Sequence, residues 1–289
     1  MAEKPDFEDV PDLMLFMWTN EDTYKYFKFN GRPQRPKTIV FIRRYEFYTG
    51  IVDALPWQDV DEIVVVNDFF AEGFERTHKI KPHVIHNGVN LGDWTFKERS
   101  HGKKIACVSR VATVKNLPLA VQIMIELNAR AKHESYVNPK PWEPLGGEYE
   151  LHIAGTFQSS EMIDYVMHIA REAGVNVCFY GPVDNINKWL EDKNYLLNTS
   201  HSEGCPNGVI EAMAKGLKPV VHNWPGAKKL FEPYVFNTLA EAVEMISPES
   251  NYESHGYRLM VGNRYSDNCY RKMIELIEKT CQSEPGGDV

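Results

Sequence analysis

The chain has 289 residues, 43% hydrophobic and 25% charged, a balance that allows one large globular domain or two modest ones. A formal charge of −8 weighs against nucleic acid or an anionic membrane as the main partner, so any bound anion must be met by a local cluster of cations. No apolar run nears the ~18 residues of a membrane span, although peripheral membrane contact stays open.

In chain order, the acidic start MAEKPDFEDVPD lacks the basic and apolar regions of a signal peptide. Short apolar runs then alternate with longer helical patterns. Strands are expected at 12–18, 38–42, 62–66, 83–85, 104–109, 150–155, 176–181, 195–200 and 218–222. Several, such as EIVVV (62–66), are unbroken apolar runs, the pattern of strands buried on both faces. Between them, NLPLAVQIMIELNARAK predicts a helix with Asn116 as N-cap and Pro118 in its first turn. The repeated alternation predicts an α/β protein with parallel, doubly wound sheets and right-handed crossovers. The five cysteines show no metal-ligand spacing. Cys107 and Cys178 lie inside apolar runs and are expected as buried free thiols, in a reducing, cytoplasmic setting.

The alternation breaks near 86–102, where HNGVNLGDWTFKERSHGKK carries three glycines and no helical period. We read it as a linker between two α/β units. The expected divisions are an N-terminal domain over 1–98, a second domain over 99–264, and a C-terminal helix and tail over 265–289. The first domain offers only about half the strands of a full one. A Pro/Gly-rich loop is expected at 133–149, and SEPGGDV should be a frayed tail.

The stretch HSEGCPNGVIEAMAKG (201–216) sets Glu203 on a loop and Glu211 inside the helix that follows. Asn207 can cap that helix, Gly216 ends it, and Pro219 prevents its continuation. Its N-terminus follows a strand, at the carboxyl edge of the predicted sheet, where doubly wound folds bind ligands. The first-turn N–H groups and the positive end of the helix dipole suit hydroxyl or phosphate oxygens. Glu203 would face the same guest from the side. Glu211, on an otherwise apolar helix, has no solvent-facing reason to be acidic; two neighbouring ribose hydroxyls would supply one. The ordinary reading, two solvated glutamates, loses ground once its surroundings are added.

At the same sheet edge, CVSRVATVKN (107–116) releases Arg110 and Lys115 from a buried strand, a local clamp for a diphosphate. LHIAGT (151–156) and CFYGPV (178–183) are further strands that run into glycine, where a base or phosphate can approach the backbone. A rival motif, Asp59-x-Asp61, has the spacing of a metal-holding pair but precedes its strand, so its carboxylates fall at the other edge. Trp18, Trp57 and Trp94 could stack on sugars, though packing is the commoner role of scattered aromatics.

These stretches, in this order, resemble the donor-binding domain of the retaining GT-B glycosyltransferases, family 4. Glu203 and Glu211 match its Glu-x7-Glu motif, and Arg110 and Lys115 match its Arg/Lys pair. HNGVN (86–90) and RYSDNCYRKMIELIE (264–278) match its interdomain signature and its C-terminal helix, which crosses back to the first domain. The resemblance implies two Rossmann-like units, the first incomplete, and retaining transfer from a nucleotide diphosphate sugar (UDP- or GDP-linked), in polysaccharide or glycoconjugate biosynthesis. The donor is a co-substrate, and neither cofactor nor metal is implied. Catalytic roles fall to Arg110, Lys115 and Glu203. Donor contacts fall to Gly155, Val183, Gly204, Cys205, Pro206, Asn207, Gly208, Val209 and Glu211. The acceptor would be a glycan, lipid or protein hydroxyl. Where the family carries a histidine on the acceptor side, IVFIRRYEFYTG offers Arg43, Arg44 and Glu46 instead. The alternative is a nucleotide-sugar-binding module, or a fragment of a larger transferase, with little turnover of its own.

Overall fold

The computed structural model describes residues 11–29, 35–137 and 148–283. Every strand pair in it is parallel, and the strands form two sheets in two compact units. One unit comprises the chain up to Asn87 together with the segment from Asn268 onward; the other is Gly88–Asp267.

The first unit runs β1 (Leu13–Phe16), α1 (Glu21–Phe29), β2 (Lys37–Ile42), α2 (Ile51–Ala54), β3 (Glu62–Val65), α3 (Asp68–His78) and β4 (His83–Val84). Its strands lie side by side in chain order, β1-β2-β3-β4. With right-handed crossovers such an order places every connecting helix on one face, so this sheet is wound to one side only. There Phe27, Val52 and Phe74 of the three helices, with Leu55 just after α2, pack on Val40, Ile42, Ile63 and Val65. The opposite face, with Ile39, Phe41, Val64 and Ile85, is covered by Leu276, Met273 and Ile277 of the last helix of the chain.

The second unit runs β5 (Lys104–Val108), α4 (Leu117–Val137), β6 (Glu150–Ala154), α5 (Ser160–Ala173), β7 (Asn176–Gly181), α6 (Ile186–Trp189), β8 (Tyr195–Asn198) and α7 (Asn207–Ala214). It continues with β9 (Lys218–His222), α8 (Ala227–Phe231), β10 (Val235–Phe236), α9 (Leu239–Ile246) and α10 (Ser254–Tyr265); α11 (Asp267–Gln282) then belongs to the first unit. The strand order is β10-β9-β8-β5-β6-β7. The chain winds outward from β5 to β7, then returns to the other side of β5 to lay down β8. The reversal leaves a crevice outside the carboxyl ends of β5 and β8. The core beneath it joins Ile105, Leu151, Ile153 and Leu197 of the strands to Leu117, Val121 and Met124 of α4 and to Val243 of α9.

All nine expected strands are present; β10, two residues long, is additional. Asn116 directly precedes α4, in the N-cap position, but its side chain accepts no hydrogen bond from the helix among the described residues. It stands in the left-handed region, φ 47°, and closes a 3-10 turn at Thr113–Lys115, a conformation that asparagine tolerates better than most residues. Cys107 is buried as expected, but Cys178 is exposed, because β7 is an edge strand whose Asn176, Cys178 and Tyr180 face solvent. Helix α4 runs through the start of the expected 133–149 loop to Val137. The rest of that loop to 147, and the tail from 284, lie outside the described residues.

The boundary between units falls at residue 87, not near 98, and hydrogen bonding explains why. Arg258 donates to the carbonyls of Leu91, Trp94 and Ala214. The buried Lys215 ammonium donates to Thr95 O and Oγ1, Asn187 and Glu191. Apart from a 3-10 turn at Leu91–Asp93, the segment 88–98 pairs few of its own carbonyls, and the buried Lys215 and part-buried Arg258 of the second unit hold it there.

Candidate active site

The site is built at the end of β5. Ser109 N donates to Ala154 O and Val111 N to Thr156 O, which carries the β5–β6 pairing into the loops. Gly155 sits at this seam with φ 147°, and a Cβ on it would lie 2.1 Å from Ser109 O and 3.1 Å from Arg110 N. Only glycine fits there. Gly155 N also donates to Gly181 O, so the turns after β6 and β7 are joined. Arg110 leaves the strand exposed and has no hydrogen-bond or ion-pair partner among the described residues. Val183 is half-buried, two residues after the φ 70° turn at Gly181.

Lys115 turns the other way. The loop after β8 crosses β5's loop through Thr199 Oγ1, which donates to Lys115 O, and His201 N, which donates to Val114 O. These bonds bring Lys115 Nζ to 2.5 Å from Glu203 Oε1, with the two side chains only 15% and 10% exposed. Ser200 Oγ donates to the same oxygen at 2.7 Å. His222 Nδ1, which must carry its proton to meet a carbonyl, donates to Ser200 O at 3.0 Å. Glu203 Oε2 has no partner among the described residues.

Gly204 and Cys205 are buried in the same loop and lead to α7. The expected cap is corrected here: Pro206, extended at ψ 110°, is the N-cap, no side chain caps the helix, and Asn207 is its first residue. Proline's fixed φ already sets the chain direction into the helix, so Asn207 enters the helical region and its side chain stays exposed. Intrahelical bonding begins at Val209 N, which donates to Pro206 O. The N–H groups of Asn207 and Gly208 precede it and point off the helix end. Gly208 lets that end approach β5, since a Cβ would stand 3.0 Å from Val108 Cβ. One turn on, Glu211 is half-buried on a mostly apolar helix, and its carboxylate has no hydrogen-bond or ion-pair partner among the described residues. Burial pushes its carboxyl pKa up.

The structure thus gathers Arg110, Lys115, Glu203, Gly155 and the start of α7 around the switch point, with Glu211 one turn behind. Ser200 and His222 were not read from the sequence. They hold Glu203 in place, and neither follows a motif spacing.

The other candidates lie in the first unit. Arg43 and Arg44 follow β2, at the carboxyl edge of the first sheet. Glu46 does not face a ligand: it is buried, and it accepts hydrogen bonds from Thr19 N and Arg43 N. It is a fastener between the loops after β1 and β2, and burial raises its pKa. Asp61 lies at the amino edge of β3 and pins β2 by accepting from Thr38 N and Oγ1. Trp57 is buried, with its indole N–H on Val52 O, whereas Trp18 is exposed.

A parallel, doubly wound α/β unit with cations and carboxylates at its switch point has the arrangement by which such folds bind ligands. The family model of glycosyl transferases group 1 matches residues 93–247, more than half of the chain, and the chain belongs to that family. Comparison with curated protein sequences gives no significant match. Among solved structures the chain resembles S. aureus TarM in complex with fondaparinux, α-GlcNAc-glycerol and UDP, at 16% identity and TM-score 0.71, over 94% of this chain and 55% of that one. It also resembles Anabaena HepE in complex with UDP, at 13% identity and TM-score 0.66, over 84% of this chain and 72% of that one. A third is the apo form of the lipopolysaccharide outer core galactosyltransferase WaaB, at 17% identity and TM-score 0.69, over 94% of this chain and 76% of that one. The shared fold is the GT-B class, and this chain spans about half the length of TarM. No helix among the described residues is long and apolar enough to cross a membrane.

Proposed function

We propose that the chain is a retaining family 4 glycosyltransferase, moving a sugar from a nucleotide diphosphate donor to an acceptor hydroxyl without a metal ion. The observation that carries this is the Lys115–Glu203 pair at the switch point, with unpartnered Arg110 and Glu211 on either side. In this reading Arg110, Lys115 and the N–H groups of Asn207 and Gly208 would meet the charge that grows on the departing diphosphate. Glu203 spends Oε1 on Lys115 and Ser200, which leaves Oε2 to accept sugar hydroxyls and fix the anomeric carbon. Glu211 would accept both ribose hydroxyls, and the backbone near Val183 would border the base. Of the retaining routes we favour front-face transfer, with the leaving phosphate as base. UDP in the two neighbours named above favours a UDP-sugar donor.

One observation favours a second reading, a binding module with little turnover: the first sheet has four strands wound to one side. Release of nucleoside diphosphate from a panel of UDP- and GDP-sugars, with and without acceptors, separates the two. The transferase reading expects acceptor-dependent release, an unchanged anomeric configuration by NMR, and no effect of EDTA. Donor binding without acceptor-dependent release would leave the module. Abolition by EDTA would overturn the metal-free mechanism.

A further inference from the structure

The carboxyl edge of the first sheet carries aromatic rings and arginines that nothing in the donor site uses. Trp18 follows β1 and is 57% exposed; Tyr48 follows β2 and is 60% exposed; Phe69 opens α3 and is also exposed. These are not scattered single residues. The Arg43 guanidinium lies 4.9 Å over the Trp18 ring, and that of Arg44 lies 5.6 Å over Tyr48. Tyr48 meets Phe70 edge-on at 6.3 Å, and Phe70 meets Phe69 at 5.3 Å. The result is a strip of two groups joined by adjacent arginines, Trp18 with Arg43 and Tyr48, Phe70 and Phe69 with Arg44; Phe70 itself is buried.

The strip is held rigidly. Arg43 Nε donates to Met17 O and its Nη1 to Asn87 Oδ1, while Thr19 Oγ1 donates to Phe41 O. Asp53, Glu72 and Arg76 line the cavity shared by Tyr48, Phe69 and Phe70, and Asp53 pairs with His78 at 3.6 Å. Glu46, the carboxylate of this loop, is buried among backbone donors and offsets Arg43 in part. Asp68 sits in the first turn of α3, where the helix dipole accounts for it. Arg44 has neither a hydrogen bond nor an ion pair among the described residues; its one contact is the Tyr48 ring.

Exposed rings stack on the apolar faces of sugars, and an unpaired guanidinium is a planar fork for carboxylate or phosphate oxygens. We propose that this strip binds an acidic glycan, with Trp18 and Tyr48 as stacking platforms and Arg44 as the reader of its pendant oxyanion. This rests on the transferase reading and assigns its acceptor a chemical class, a sugar chain bearing negative charge. Arg43, already committed to Met17 and Asn87, positions Trp18.

Calorimetry on the full chain tests it with a uronic-acid hexasaccharide, a phosphate-bearing oligosaccharide of equal length, a neutral hexasaccharide, and phosphatidylglycerol vesicles. UDP affinity is measured alongside. The acidic chains should bind at least ~10-fold more tightly than the neutral one, an advantage that salt erodes. Arg44→Gln should remove most of that advantage, and Trp18→Ala should weaken acidic and neutral chains alike, with UDP binding and thermal unfolding unchanged in both. The preferred acidic chain identifies the oxyanion. Equal binding of neutral and acidic chains, binding of vesicles alone, or no binding of any glycan would overturn the proposal. Loss of UDP binding in the unmutated protein would instead overturn the donor reading, leaving the glycan comparison to stand by itself.

Discussion

Lys115 Nζ and Glu203 Oε1 meet at 2.5 Å although 88 positions separate them, and the reversal of winding between β5 and β8 is what brings them together. A mostly buried pair of this kind leaves an uncompensated charge when one partner is removed. Lys115→Met and Glu203→Gln should therefore each destabilise the chain, by about 1–3 kcal/mol. The double variant should lose less than the sum of the two. Urea unfolding of the four proteins measures the coupling; strict additivity would mean that the two side chains do not act as a pair.

Glu211 makes two linked predictions. If it holds the ribose, Glu211→Ala should cost at least ~10-fold in nucleoside diphosphate affinity, read by calorimetry. Because burial raises its pKa, the folded protein holds a proton there that the unfolded chain has already lost. Its contribution to stability thus falls as pH rises from the ordinary glutamate value through the raised one. Glu211→Gln should flatten that part of the pH–stability curve and be no less stable near neutrality. A Gln variant that keeps the wild-type slope would place the titration elsewhere.

How much of this was legible depended on range. The unbroken runs at β2, β3 and β5 announce strands because burial on both faces demands apolar residues throughout. Glu203 and Glu211 were legible because one loop and one helix carry both. Their supports were not: Ser200 sits three residues away in an irregular loop with no motif to mark it, and His222 reaches Ser200 O from β9, a neighbour known only once strand order is known. Asn116 precedes α4 as expected but closes a left-handed turn without a side-chain cap bond; asparagine serves both roles, and the local sequence does not separate the two. Glu46 looked available by its place after β2; two backbone N–H groups, one of them 27 residues away, had already claimed it. Residues 88–98 read as a free linker because Lys215 and Arg258, which hold them, lie more than a hundred residues on.

Gly155 and Gly174 offer a matched test of the seam at β5. Both have positive φ, 147° and 63°, so alanine is strained at either position. At Gly174, the end of α5, a Cβ meets nothing, and Gly174→Ala should cost about 1 kcal/mol. At Gly155 the Cβ meets Ser109 O, a backbone atom that cannot yield without moving Arg110. Gly155→Ala should cost more, on the order of 2–4 kcal/mol, and weaken UDP binding besides. Thermal unfolding and calorimetry on the pair settle it. Equal effects on both readouts would mean that the close approach at Ser109 positions nothing.

Lys218 carries the last prediction. It opens β9 at the edge of the sheet away from the candidate site, and its ammonium donates to Ser250 Oγ at 2.8 Å and Asn251 O at 2.5 Å. Both are neutral acceptors, and no carboxylate meets it among the described residues. Burial without a counter-charge lowers its pKa to about 8. Here the sign is opposite to that of Glu211: above about pH 8 the folded chain loses this proton while the unfolded chain keeps it to its ordinary value. The unfolded state then binds more protons, so stability rises with pH across that window, by up to about 1.4 kcal/mol per pH unit. Tyrosines and cysteines titrate nearby, so the measurement is a difference. Chemical unfolding of the wild type and of Lys218→Met is followed from about pH 7 to about pH 10, the range set by this shift. The wild type should gain on the variant steadily above about pH 8, whatever the variant loses by leaving Ser250 and Asn251 without their donor. A constant difference across the range would show that Lys218 stays charged in the fold, and that Ser250 and Asn251 alone compensate its burial.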